Sequence, residues 1–152
     1  MISLNKDKIL EYQKNRYPYL MIDYAEKIIP GKSAYGYKNL NEDEWFFKVH
    51  WENDPNMPGM LQIEALVQMC ALTILCLDGN KGKTVYLTKA NKLKFYRKIL
   101  PNSRLYLDTE LTNYSRGIGM GKGTGFIDGK IVCEAEFNLV QPEELEKYKV
   151  KL

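Results

Sequence analysis

The chain has 152 residues, of which 45% are apolar and 27% charged, with a formal net charge of +3. That length fits one domain with a real core, and the balance excludes a long disordered segment. So small a positive charge also excludes the dense Lys/Arg stripes of a nucleic-acid-binding domain, while leaving room for an acidic partner.

The N-terminal stretch MISLNKDKILEYQKNRYPYL carries charges every few positions and lacks the apolar centre of a signal peptide. The longest apolar run, Met69 to Leu77, counts nine residues including one threonine, far short of the ~20 that span a bilayer. The chain therefore reads as cytoplasmic, without membrane insertion. Cys70, Cys76 and Cys133 are odd in number and have no CxxC spacing. They read as buried free thiols, not as a disulfide framework or a zinc site.

In chain order, residues 4–14 read as a short helix with Leu4, Ile9, Leu10 and Tyr12 as packing residues. RYPYL ends it, because a residue before proline avoids the helical region. Tyr19 to Phe47 reads as short strands separated by turns at Pro30-Gly31 and Asn39 to Asp43. The segment Met60 to Leu77 is apolar on nearly every face, so it reads as a helix buried all round, stopped by Asp78-Gly79-Asn80. Strands follow at Thr84 to Ala90, Lys92 to Tyr96, Arg104 to Tyr114 and on both sides of Asp128-Gly129. In LYLDTELT, Leu105, Leu107, Thr109 and Leu111 alternate with polar neighbours, the period of a half-buried strand, and Asp-Gly is a two-residue hairpin signal. The expectation is a single α+β domain over 1–152, a curved antiparallel sheet wrapping one long central helix.

Two glycine patterns bear on nucleotide binding. GKT at 82–84 would need glycine at position 77 to form a phosphate loop, and that position is Leu77. Gly117, Gly119, Gly121, Gly123 and Gly125 never give the G-x-G-x-x-G spacing. Glycine at every second position instead strips one face of a strand of side chains. Two uses of that face stay open: it curls over the buried helix, or it widens a channel for an acyl chain.

The chemistry concentrates between residues 44 and 68, EWFFKVHWENDPNMPGMLQIEALVQ, where His50, the only histidine, precedes a glutamate set in the apolar helix. Carboxylates are rarely buried without a partner or a task, and an apolar setting raises the pKa of Glu64 toward that of a neutral acid near pH 7. An imidazole supplies a neutral base there, so His50 and Glu64 form a candidate base and acid. Pro58-Gly59 at the helix start adds unpaired N–H groups that favour a developing negative charge.

These residues carry a resemblance. Phe46, Phe47, His50, Asp54-Pro55, Met57-Pro58-Gly59, Leu61, Glu64-Ala65-Leu66 and Gln68 resemble the active-site signature of the hot-dog-fold 3-hydroxyacyl-[acyl carrier protein] dehydratases. RYPYLMID, LKFYRKILPNSRL and DGKIVCEAEF extend the likeness over most of the chain. HWEN stands where the family usually has HFPG, and Asp54-Pro55 resembles the dehydratase-isomerase branch, whereas Glu64 resembles the plain dehydratases.

The resemblance implies a hot-dog fold and a substrate carried on the phosphopantetheine arm of an acyl carrier protein, with no metal or bound cofactor. It implies that His50 removes the C2 proton, Glu64 protonates the leaving hydroxyl and the Gly59 N–H holds the thioester oxygen. It implies further a homodimer with His50 of one chain facing Glu64 of the other, assembled in many members as a trimer of dimers. Gln68, one turn after Glu64, either orients that carboxyl group or satisfies a nearby strand. Carrier proteins are acidic, so a basic patch is expected; Lys94, Arg97, Lys98 and Arg104 are its candidates. A hot-dog thioesterase and a non-catalytic acyl-binding or carrier-binding protein stay open as alternatives.

Overall fold

The structure, a computed structural model, describes residues 1–149. In chain order it holds β1 (Ile2–Leu4), α1 (Lys6–Tyr12), β2 (Tyr24–Ile29), β3 (Ser33–Leu40), α2 (Trp45–Val49), α3 (Gly59–Leu75), β4 (Tyr86–Phe95), β5 (Ser103–Ser115), β6 (Ile118–Ile127), β7 (Lys130–Val140) and α4 (Pro142–Glu146). The strands form one seven-stranded sheet in the order β1-β2-β3-β5-β6-β7-β4, each neighbour antiparallel to the next. The expected α+β layout of a sheet around a central helix is what forms.

Helix α3 is the core. Every residue from Leu61 to Leu75 is buried except Glu64, as its all-round apolar sequence requires. At 1.5 Å per residue it runs about 26 Å through the domain. Its side chains meet the inward residues of β5 and β7, among them Leu105, Leu107, Leu111, Phe137 and Leu139.

The glycine strand packs directly on this helix. A methyl group at Gly121 would stand 2.8 Å from both Cys70 Sγ and Phe137 Cε2, and one at Gly123 would stand 3.1 Å from Leu66 Cδ2. The bare face of β6 is therefore filled by α3. The alternative of a channel along it is not realised, because that space holds Leu66 and Cys70.

Three boundaries differ from the sequence expectation. Leu4 belongs to β1, which pairs with β2; Asn5 caps α1 by accepting the Lys8 N–H. Phe46 and Phe47 lie in α2, not in a strand. Both are buried, and consecutive residues of a strand would point to opposite faces, whereas a helical turn tucks both rings into one core. Finally, Tyr86 to Phe95 is a single strand whose register slips between Asn91 and Lys94. The break at Asn91 is a bulge with Lys92 at φ 53°.

Replacing Gly121 with Val should overpack the α3 contact and lower stability by ~1–3 kcal/mol, read as a drop in the urea midpoint. An unchanged midpoint would mean that the sheet yields more easily than this packing implies.

Candidate active site

His50 sits at the C-terminal end of α2, its N–H closing the helix on Phe46 O at 3.1 Å. The helix is anchored from below: buried Lys38 of β3 binds Glu44 at 2.9 Å and Asp23 at 3.3 Å, and Glu44 is the residue that starts α2. Trp45 Nε1 adds a bond to Pro18 O at 3.3 Å.

The imidazole Nδ1 lies 3.0 Å from Asn56 O. A carbonyl oxygen only accepts, so in the neutral ring Nδ1 carries the proton and Nε2 is left as a bare lone pair. That is the tautomer a base needs. Asn56 belongs to a tight loop in which its own Nδ2 donates to Asp54 O at 2.8 Å. The next N–H, that of Met57, donates to Ile99 O at 2.9 Å.

A cleft of about 400 Å³ opens beside His50, walled by Met57, Gly59, Gln62, Phe95 and Tyr96. Gly59 is the first residue of α3, and its N–H is among those that a helix leaves without an intrahelical partner. Phe95 explains the glycine, because a methyl group here would lie 2.8 Å from the ring. His50 and the N-terminus of α3 thus border one cleft.

Glu64 does not line that cleft. It is half-buried on another face of α3, where Gln68 Nε2 donates to its Oε1 at 3.0 Å. Burial pushes its carboxyl group above the usual carboxylate range, and the Gln68 bond opposes part of that rise. Gln68 also accepts from Met21 N at 2.8 Å and donates to Tyr19 O at 2.9 Å, in the loop before β2 and not in a strand. Burial and the Glu64 charge push the Tyr19 hydroxyl up.

The four basic candidates separate. Arg97 and Lys98 line the mouth of the His50 cleft, with Lys98 held bidentate by Asp54 at 2.9 and 3.0 Å. Lys94 pairs with Glu134 at 3.7 Å. Arg104 lies elsewhere, its guanidinium 3.9 Å from the Tyr37 ring centroid and its Nε on Asn39 Oδ1 at 2.8 Å. No cluster of three or more His, Cys, Asp or Glu side chains suited to a metal occurs among the described residues.

Sequence reasoning did not single out Gln62, Asn56 or Phe95. Gln62 had a visible signal, as a second polar residue in an apolar helix. Asn56 acts through a backbone carbonyl, which carries no side-chain signature.

The family described as FabA-like domain matches residues 14–136. The chain is 42% identical over 135 residues to a 3-hydroxyacyl-[acyl-carrier-protein] dehydratase FabZ of Clostridium novyi (strain NT), covering 89% of this chain and 95% of that protein. It is 43% identical over 128 residues to the protein of the same name from Clostridium tetani (strain Massachusetts / E88), covering 84% and 90%. Among solved structures, the dehydratase heterocomplex ApeI:P from Xenorhabdus doucetiae superposes with a TM-score of 0.74 at 14% identity over 91% of this chain and 95% of that one. A hypothetical thioesterase with coenzyme A from Streptococcus pneumoniae TIGR4 gives 0.60 at 13% identity over 77% and 83%. At such identities these two likenesses concern the fold, which is the hot-dog fold.

Replacing Gln68 with Met removes a donor that favours the ionised form of Glu64, so its pKa should rise further and its carboxyl signal should titrate at higher pH in carbon-13 NMR. The buried Met21 N–H loses its acceptor in the same variant, at a cost of about 1–3 kcal/mol in folding stability. A titration midpoint that stays put or falls would contradict the bonding described.

Proposed function

This chain belongs to the FabA-like family and is a hydro-lyase of the 3-hydroxyacyl-[acyl-carrier-protein] dehydratase type; we propose that it works through His50 and Glu64 brought together between two copies. The observation that carries the mechanism is the His50 Nδ1 bond to Asn56 O, which leaves Nε2 as acceptor.

In this reading a 3-hydroxyacyl chain enters the cleft on the phosphopantetheine arm of an acyl carrier protein. His50 Nε2 takes the C2 proton, and the electron pair moves toward the thioester oxygen, which the Gly59 N–H receives. Such a donor is worth ~3 kcal/mol in the transition state. The pair then forms the C2–C3 double bond as the C3 hydroxyl leaves with a proton from Glu64. Water and a trans-2-enoyl thioester result, and no step calls on a metal or a bound cofactor. The raised carboxyl pKa of Glu64 suits the donor role, since it keeps the proton available closer to neutral pH.

The homodimer is supported by the position of Glu64, which within one chain does not line the His50 cleft. Val49 and Met60, beside His50 and at the start of α3, are 70% and 63% exposed. The edge strand β4 has a partner on one side only, which leaves its other side open to pairing. We extend the reading to a trimer of dimers and to a cytoplasmic location; no described helix is long and apolar enough to cross a membrane. Arg97 and Lys98 at the cleft mouth are the residues placed best to meet an acidic carrier, with Lys94 nearby on β4 and Arg104 set apart over Tyr37.

Intact-mass analysis of 3-hydroxyacyl carrier proteins of several chain lengths should show loss of one water with the wild type. His50→Ala and Glu64→Gln should each slow it by ~100-fold or more. Mixing the two inactive variants under subunit exchange should restore turnover, because one hybrid site then holds both groups. Persistent inactivity of the mixture would refute the shared site. Acyl chain hydrolysis in place of water loss would identify a thioesterase, and carrier binding without any mass change a binding protein.

Reversing Arg97 and Lys98 to Glu should raise KM for the carrier substrate at low salt by tenfold or so, with the gap closing as salt screens the charges. A KM insensitive to both salt and reversal would remove these residues from docking.

A further inference from the structure

We propose that Gln62 is a positioning residue for His50, acting through the Asn56-Met57-Pro58 turn; the proposal rests on His50 being the base of the dehydration. Gln62 lies in the first turn of α3 and is 4% exposed. Its Nε2 donates to Met57 O at 3.0 Å, and its Oε1 has no partner. The orientation of the amide is fixed by that contact, since the flipped group would set two acceptors against each other.

A half-satisfied carboxamide in an apolar helix is a poor choice for stability alone, because an unpartnered buried acceptor loses its water without replacement. The bond that it does make falls at a particular place. Three successive peptide planes run from Asn56 to Gly59. The first has its N–H, from Met57, on Ile99 O at 2.9 Å and its C=O, from Asn56, on the His50 Nδ1 proton at 3.0 Å. The third has its C=O, from Pro58, tied to the N–H groups of Leu61 and Gln62 at 3.1 Å each.

The middle plane joins Met57 to Pro58. Proline has no N–H, so the Met57 carbonyl is the only handle this plane offers. Gln62 holds it. Without that bond the middle plane is free to turn about the Met57 Cα, and the single Met57 N–H bond to Ile99 O is left to aim the Asn56 carbonyl against the motion of the turn. The carbonyl then drifts from the imidazole and His50 loses the fixed acceptor that keeps its proton on Nδ1. Gln62 also borders the cleft that holds His50 and Gly59, so the tie runs within the site.

His50 is the only histidine in the chain, so its ring nitrogens can be read without ambiguity. Nitrogen-15 imidazole spectra of the full-length protein, taken at a pH where the ring is neutral, should show a proton on Nδ1 and a bare Nε2. In Gln62→Met and Gln62→Leu, each verified as folded by circular dichroism, the opposite tautomer should appear. For a 3-hydroxyacyl carrier substrate kcat should fall about tenfold while KM stays within about twofold. An unchanged tautomer in both variants would overturn the proposal, whatever happens to kcat, and so would a mixed tautomer with wild-type kcat. If the wild type dehydrates no substrate, the functional reading fails instead, while the spectra still decide whether Gln62 holds His50.

Discussion

Close contact between the bare face of β6 and the fully apolar α3 is the constraint on which the rest of the molecule depends. A helix buried from Leu61 to Leu75 with a single exception must be covered on nearly every side, and a sheet carrying bulky side chains at each inward position cannot curl that tightly. Gly119, Gly121, Gly123 and Gly125 remove the side chains where Ile74, Cys70, Leu66 and Cys133 come close. Interiors pack at crystal-like density, so the fit leaves no room for a ligand between helix and strand. The His50 cleft lies instead at the N-terminal end of α3.

Around that core, polar groups are few and each has a local reason. Glu64 is the one position in the buried run that the single chain leaves partly open, and Gln68 ties its carboxylate to the loop at Tyr19 and Met21. At the N-terminus of α3, Phe95 is pressed on Gly59, and Gly59 borders the His50 cleft. His50 arrives from a different element, α2, and depends on the buried Lys38 cluster for the placement of that helix. His50 and Glu64 are therefore carried by separate elements, and Glu64 does not line the His50 cleft.

Charge at the cleft mouth is arranged less simply than a count of basic residues suggests. Lys98 already has a carboxylate partner in Asp54, and Arg104 is stacked on Tyr37. Exposed ion pairs of this kind contribute little to stability, so Lys98 can exchange Asp54 for an incoming anion at small cost. The same pairing draws the 51–58 loop toward the strand that ends at Phe95.

The sequence by itself determined the buried helix, because an all-round apolar segment has no other stable place, and the alternating β5 strand and Asp-Gly hairpin, because their periods are local. It also marked His50, Glu64, Gly59 and Gln68 as candidates, through their spacing and setting. It could not show that β4 crosses to pair with β7 at the far edge, since strand order is a non-local choice. Nor could it show that Phe46 and Phe47 enter the core from a helical turn, for two adjacent aromatics fit a strand pattern as well. Which nitrogen of His50 is bare, which cations flank it and where Gln62 donates were decided only by the tertiary structure. Those outcomes turn on backbone carbonyls of Asn56, Met57 and Ile99, and a carbonyl is identical in every residue until the fold aims it.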